Sequence, residues 1–456
     1  MIKTKVSLLQ RLSTITVRSL ATSAATPKTK PTSITIQGQT YPTDDWTNVT
    51  PSIQNLTSRS LHLNDNHPIG ILRNLIEDRF EGLGYTFYND FKPVVSTYEN
   101  FDSLGFPSDH PGRAKTDTYY LNETTLLRTH TSAHEKECFE MCPTEGYFIS
   151  ADVYRKDEID RTHYPVFHQM EGGRIWSREK YGDDLLTKIQ SDIEAIPKTD
   201  LIVEDAHPAF DVLKNPKQDF MTDKETELVS QHLKKTIELL VFKVFEEAKI
   251  SAKLAGSTEP YLNEPLRVRW SPDYFPWTAP SWEIEVWWKG TWLECCGCGV
   301  VREQVLTNSG VKDSIGWAFG IGLDRIAMLL FGIPDIRLFW TLDQRFAEQF
   351  QKGKISTFKP YSKYPGTVRD IAFWVPSVEE KVHMNEIMEV VRGVAGDLVE
   401  SVKLIDEFTH PKSGRNSQCY RINYQSMDRN LTNEEVNELQ EQIRDLVKSE
   451  FNVELR

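Results

Sequence analysis

DVYRKDEIDRTHYPVFHQMEGG, residues 152–173, reads as two short strands around a polar loop. Side chains alternate along a strand with period 2, so Ala151, Val153 and Arg155 share one face of the first strand. Phe167, Gln169 and Glu171 share one face of the second. Paired as an antiparallel hairpin, the two strands present a guanidinium, an aromatic ring, an amide and a carboxylate on one surface. A guanidinium suits bidentate contact with phosphate. A ring can stack on a base, and the amide and carboxylate can hold an ammonium. The surface carries the side chains needed for a nucleotide and an amino acid together.

The order strand, Arg, loop, Phe, strand, acidic residue resembles the second signature motif of class II aminoacyl-tRNA synthetases. Within that class, YRKDEIDRTHYPVFHQMEG resembles the phenylalanyl-tRNA synthetases of the single-chain mitochondrial type. That resemblance implies ATP as a substrate, bound with Mg2+, together with phenylalanine and tRNA(Phe). It implies that Arg155 holds the α-phosphate and that Phe167 flanks the adenine. It further implies that Thr162, His163 and Tyr164 of the loop belong to the ATP site, and that Gln169, Met170 and Glu171 belong to the amino-acid site.

Upstream, a helix is expected from Pro68, capped by Asn66 or His67, with Ile69, Leu72, Leu75, Ile76 and Phe80 as its apolar stripe. Pro93 and the following ENFDSL resemble the first class motif as the phenylalanyl enzymes write it. In LLRTHTSAHE, residues 126–135, His130 and His134 stand four apart but have no evident third metal ligand. The resemblance instead puts His130, Ser132, Ala133, His134 and Glu135 at the amino group of the amino acid. Organellar members of the family usually carry Gln where this chain has Glu135.

Downstream, residues 180–260 are charged and helix-rich and read as an insertion. The aromatic run from Trp270 to Val301 alternates as strands, with a turn signal at Lys289-Gly290. Its YFPWTAPS segment resembles the wall of the phenylalanine pocket, with Phe275 matching and Trp277 in place of the usual Phe. Glu294 matches an acidic residue of the ATP and substrate site and is a candidate Mg2+ ligand. In GWAFGIGLDRIAMLLFGIPDIR, residues 316–337, a strand is expected to end at Gly322 and a helix to run to about Phe331. This resembles the third class motif. It puts Arg325 on the γ-phosphate and over the adenine, and Ala318 and Phe319 beside the amino-acid ring. Asp324 stands where the family usually has Glu.

From residue 362 the apolar periodicity changes to a βαββαβ order, the ferredoxin-like split unit, with Thr432 and Glu435 forming a capping box. Its opening resembles the anticodon-binding domain of the phenylalanyl enzymes. Lys412, Arg415, Arg421 and Arg429, with Tyr420 and Tyr424, are the candidate tRNA surface. Residues 361–456 hold 12 Lys and Arg against 17 Asp and Glu, so any such surface is local.

The 456 residues carry a net charge of −13, which argues against a general nucleic-acid coat protein. Six cysteines are too few for a disulfide framework, their spacing is irregular, and no structural zinc is expected. No apolar run reaches the roughly 20 residues that span a bilayer. Residues 1–43 lack Asp and Glu and carry spaced Arg, Lys, Ser and Thr, as a mitochondrial transit peptide does. The expected organisation is therefore α+β. Residues 1–30 form a transit peptide to the mitochondrial matrix. Residues 41–345 form a catalytic domain with an antiparallel sheet and flanking helices. Residues 346–361 form a linker, and 362–456 the ferredoxin-like domain, in a protein expected to act as a monomer.

Overall fold

The computed structural model describes residues 31–141, 143–360, 364–375 and 382–456. The expected transit peptide and Cys142 lie outside the described residues.

Eight strands build the main sheet: β1 Tyr85–Tyr88, β2 Gly146–Tyr154, β3 Val166–Ser177, β4 Ile202–Glu204, β5 Arg267–Asp273, β6 Thr278–Trp288, β7 Thr291–Val301 and β8 Ser314–Gly322. Their order across the sheet is β1-β2-β3-β8-β7-β6-β5-β4. The two outer pairs are parallel and the rest antiparallel. Strands β2 and β3 form the expected hairpin, with Val153 opposite Phe167, Ala151 opposite Gln169 and Ile149 opposite Glu171. Arg155 follows directly, its N–H donating to the Pro165 carbonyl at 3.0 Å.

The helices that matter here are α1 Pro68–Phe80, α2 Glu135–Met141, α3 Asp223–Leu254, α4 Leu323–Phe331, α5 Met384–Ala395 and α6 Asn433–Glu450. His67 caps α1, its side chain accepting from the Ile69 N–H, with Pro68 at the first helical position. Gly332, at φ +66°, takes the left-handed turn that ends α4.

The two faces of the sheet do different work. On one face, α1, α3 and α4 pack a continuous apolar core that includes Trp176, Trp282, Trp317, Phe319 and Met170. On the other face lies a cavity. The stretch read as an insertion supplies much of the core. Helix α3 buries Val229, Leu233, Ile237, Leu240 and Val244, and its His232 accepts a hydrogen bond from the Trp317 indole at 3.1 Å. Its exposed side carries the charge that dominated the sequence reading. The stretch read as a linker is likewise core, because Phe346, Phe350, Ile355 and Phe358 are buried in that cluster. The fold also begins earlier than residue 41: Ser33–Ile36 pairs with Gln39–Pro42, and Ile36 is buried.

The C-terminal unit has strands β9 Thr367–Trp374, β10 Val399–Thr409, β11 Asn416–Tyr424 and β12 Glu454–Leu455, in the order β10-β11-β9-β12. With α5 and α6 this is the expected βαββαβ unit, and Thr432 and Glu435 close their capping box at the start of α6. Tyr420 and Tyr424 do not form a stacking surface. They share the inner face of β11 with Ile422 and are fully buried, and Arg421 between them points out.

The unit is closely joined to the main domain. Tyr119 donates to Glu389 at 2.6 Å, and Lys156 pairs with Glu386 at 3.1 Å. The Val402 N–H donates to the Ile159 carbonyl at 2.9 Å. Ile159, from the loop of the β2–β3 hairpin, is buried in the C-terminal core.

Candidate active site

The cavity has a volume of about 580 Å³ and lies over the face of β3, β8, β7 and β6 that carries small residues. Glycine makes the room. A Cβ on Gly297 would lie 2.6 Å from the Phe275 ring, and one on Gly173 would lie 2.6 Å from the Tyr147 ring. Side chains at either position would push those rings into the cavity.

Arg155 enters from the end of β2. Its Nε donates to the Thr129 carbonyl at 2.7 Å, and its guanidinium lies 5.3 Å from the centre of the Phe167 ring. The strand face drawn from sequence is thus present as a unit, with Arg155, Gln169 and Glu171 on the cavity and Phe167 under the guanidinium.

The THTS segment is held against the hairpin by Arg128, a residue the sequence reading passed over. Its guanidinium is buried and donates to the Asp152 carbonyl at 2.7 Å, to the Phe91 and Lys92 carbonyls at 2.9 and 2.8 Å, and to the Asp152 carboxylate. Burying a charge is costly unless it is paired and fully hydrogen-bonded, and here it is both. The following turn then delivers Thr131 and Ser132 to Glu171. Thr131 Oγ1 donates at 3.2 Å, Ser132 also donates, and Tyr147 from β2 adds a third hydroxyl at 3.1 Å. His130 faces the same space with neither ring nitrogen partnered. Burial, with Arg155 beside it, pushes its pKa down to about 3, so it is neutral.

Aromatic rings form the other wall. Trp277 stacks on Phe106 at 5.2 Å and on Phe275 at 5.9 Å, and Phe106 lies parallel to the His130 imidazole at 5.6 Å. Phe106, from the loop after ENFDSL, was another residue missed in the sequence. Trp277 does not turn outward. Its larger ring spans from Phe275 to Phe106 and closes that side. Ala318 lines the floor.

Several residues assigned by resemblance lie elsewhere. Phe319 pairs in register with Gly172 and Cys298, so its ring shares the opposite face with Trp317 and packs 5.5 Å from Phe148. It borders the cavity only from within the strand. Met170 is fully buried on that same opposite face. Ala133 packs in a small cluster with Val95, Phe101 and Leu126. His134 stacks on Phe91 at 4.5 Å and turns Nδ1 toward Glu137, away from the cavity. Thr162 and His163 bond to Asp160 at 2.9 and 2.8 Å, and Tyr164 stacks on Trp340 and donates to Asp397 of the C-terminal unit at 2.8 Å. These three side chains shape the hairpin loop and its contacts. Arg325 stands exposed in the first turn of α4, where the helix dipole favours anions. Its charge acts on the buried Cys295 thiol, which places it beside β7.

Glu294 lines the cavity together with Glu283, which sequence reasoning did not single out. Burial, and then the charges of Glu294 and Asp273, push the Glu283 carboxyl up to about 7. Crowded carboxylates of this kind are the hard oxygen donors that Mg2+ prefers.

In the C-terminal unit, Arg415 pairs with Glu454 at 2.5 Å, Arg421 with Asp370 at 2.8 Å and Arg429 with Glu435 at 2.9 Å. Lys412 is exposed in the turn between β10 and β11. Arg415 also lies 5.1 Å over Trp374, and Arg456 lies 5.3 Å over the same ring and 6.0 Å from Phe408. The rings that lie beside exposed arginines in this unit are Trp374 and Phe408, not Tyr420 and Tyr424.

Comparison with known proteins agrees with the architecture. Residues 53–181 and 249–350 match the model of the tRNA synthetases class II core domain (F), and residues 362–456 match the ferredoxin-fold anticodon binding domain. Together they define a class II aminoacyl-tRNA synthetase core with an appended anticodon-binding domain. The chain is 57% identical over 449 residues to the mitochondrial phenylalanine–tRNA ligase of Saccharomyces cerevisiae, covering 93% of this chain and 95% of the relative. It is 42% identical over 419 residues to the chloroplastic/mitochondrial enzyme of Arabidopsis thaliana, covering 91% and 84%. It is 39% identical over 432 residues to the mitochondrial enzyme of Mus musculus, covering 92% and 88%. The chain belongs to the mitochondrial phenylalanine–tRNA ligase family.

The placement of Ala318 yields one expectation. An apolar pocket rejects an added hydroxyl by only about a hundredfold, so shape must supply part of the discrimination. Ala318→Gly is expected to raise the activation rate of para-substituted phenylalanines relative to phenylalanine, on the order of tenfold. An unchanged ratio in pyrophosphate exchange would take Ala318 out of the pocket.

Proposed function

We infer that this chain is a phenylalanine–tRNA ligase of the mitochondrial matrix, working as a monomer, since one chain carries both the synthetase core and the anticodon-binding unit. The observation that carries this reading is the single face of the β2–β3 hairpin. It brings Arg155, Gln169 and Glu171 to one cavity whose opposite wall is Phe275, Trp277 and Phe106. No helix among the described residues is long and apolar enough to cross a membrane.

A carboxylate oxygen of phenylalanine attacks the α-phosphorus of ATP, the bond to the bridging oxygen breaks, and pyrophosphate leaves. A terminal ribose hydroxyl of tRNA(Phe) then attacks the carbonyl of the phenylalanyl-adenylate and AMP leaves. No side chain of the enzyme acts as a nucleophile. Catalysis is in-line positioning plus stabilisation of charge that develops on phosphate.

Arg155, braced by the Thr129 carbonyl and the Phe167 ring, is aimed to hold the α-phosphate. Phe167 and Arg325 flank the adenine, with Arg325 also meeting the γ-phosphate. Glu171 and Gln169 hold the ammonium, and the Phe275–Trp277–Phe106 wall takes the ring edge-to-face. Glu294 and Glu283 would hold Mg2+, which neutralises phosphate charge when bound. Lys412, Arg415 and Arg456 with Trp374 offer tRNA a surface of charge and stacking. The binding of tRNA there uses the outer face of the C-terminal sheet, since its tyrosines are buried.

The test is charging of organellar tRNA with labelled amino acids. Phenylalanine is expected to form the ester, and tyrosine to do so at least about a hundredfold more slowly. Equal charging by both would withdraw the specificity.

A further inference from the structure

Glu171 and Glu135 share one end of the cavity in very different surroundings. Glu171 accepts from three hydroxyls, those of Thr131, Ser132 and Tyr147. Glu135, the first residue of α2, is only 1% exposed, and its Oε1 is buried without a partner. The two carboxyls are close enough for their charges to interact, and Tyr147 feels both. Two like charges in so dry a place cannot both persist. Burial pushes the Glu171 carboxyl up to about 7 even though its three hydroxyl partners favour the anion, while burial and then the Glu171 charge hold Glu135 protonated.

Among the described residues, no cation is set against Glu135. From its own helix the buried Cys138 thiol lies near, and His134, just before it, turns to Glu137. From the preceding turn comes His130, which is neutral. From β2 and β3 come Tyr147, Gln169 and Glu171, and from β8 only Ala318 and Gly320. Of the cations on the cavity, Lys156 is paired with Glu386, and the Arg155 charge acts on His130 rather than on the two carboxyls. A primary ammonium has three N–H donors. Glu135 Oε1 joins Glu171 and Gln169 as acceptors on the cavity that match them.

We propose that Glu135 carries the proton of a Glu135–Glu171 pair in the free enzyme and gives it up when the ammonium of phenylalanine enters. Amino-acid binding then releases one proton. This rests on the reading of the cavity as the phenylalanine site. The O–H bond of the Glu135 carboxyl breaks, the proton passes to buffer, and N–H···O contacts from the ammonium replace it. An added positive charge favours ionisation of both carboxyls. Affinity for phenylalanine should therefore rise with pH through neutrality, by up to about tenfold per unit while the pair holds the proton.

Calorimetry of phenylalanine binding to the full-length protein, in two buffers of different ionisation enthalpy near pH 8, where Glu171 is already largely ionised, counts that proton. The wild type is expected to release about one proton per phenylalanine bound, and Glu135→Gln, binding more weakly, close to none per phenylalanine bound. Equal release by both proteins, or none from the wild type, overturns the proposal but leaves the substrate reading standing. No phenylalanine binding by the wild type would remove both. Should Glu135→Gln fail to fold, the wild-type count at pH 6, 7 and 8 decides alone, because a value near zero throughout is incompatible with a displaced proton.

Discussion

Arg155→Ala is expected to lower phenylalanine-dependent pyrophosphate exchange on the order of 10²–10³-fold, the usual cost of losing a donor aimed at developing charge. The fold should be retained. Arg155 faces the cavity, and its side chain's hydrogen bond among the described residues is the one from Nε to the Thr129 carbonyl. The Val153–Phe167 register beneath it does not depend on the guanidinium. Arg155→Lys should rescue little, because an ammonium cannot make a bidentate contact or lie flat over Phe167. Exchange at saturating ATP and phenylalanine, beside a thermal melt, separates these effects. A folded Arg155→Ala protein with near-normal exchange would remove Arg155 from the mechanism.

Deletion of residues 362–456 is expected to abolish charging and to lower exchange as well, by at least roughly tenfold. The two activities looked separable in the sequence, because every residue assigned to adenylate formation lies before residue 345 and the C-terminal unit has its own caps and core. The structure ties them together through the loop that follows Arg155. Lys156 is paired with Glu386, the Asp157 carbonyl accepts from Arg392 at 2.9 Å, Ile159 is packed in the C-terminal core, and Tyr164 donates to Asp397. Without those partners the loop is free to move, and a misplacement of about 1 Å at a reacting group can cost on the order of 10²-fold. The control is Lys412→Glu with Arg415→Glu, which leaves the loop supported. It should lose charging but keep exchange, and added salt should narrow its difference from wild type. Full exchange by the deleted protein would mean that the loop holds its shape unaided.

The central hairpin was legible because alternation in a strand is a rigid rule. Once Arg155, Phe167, Gln169 and Glu171 are placed on one face, the cavity wall follows. The same rule would have corrected Phe319, which alternates with Ala318 and Gly320 and sides with Trp317 and Ile321. It would also have corrected Tyr420 and Tyr424, which bracket the outward Arg421 on either side of Ile422. Phe319 was placed by resemblance to a motif, and Tyr420 and Tyr424 by residue type, before the face was asked for.

Other features left no local trace. Arg128 sits in a short polar stretch and is needed because four acceptors from distant segments converge on it. Phe106 meets Trp277 across 171 positions of chain, and that contact exists only in the folded protein. The contacts of Tyr164 are of the same kind. Its neighbours Trp340 and Asp397 are far along the sequence, so a loop tyrosine near an ATP motif gave no hint that it joins two domains.

The amino acid that the cavity takes is read most directly from what it activates. ATP–pyrophosphate exchange measured with each of the 20 amino acids in turn is expected to respond to phenylalanine, with tyrosine at least about a hundredfold weaker and polar or charged amino acids giving background. A stronger response to any polar amino acid, or no response to phenylalanine, would contradict the assignment of the Phe275–Trp277–Phe106 wall and of the site built around it.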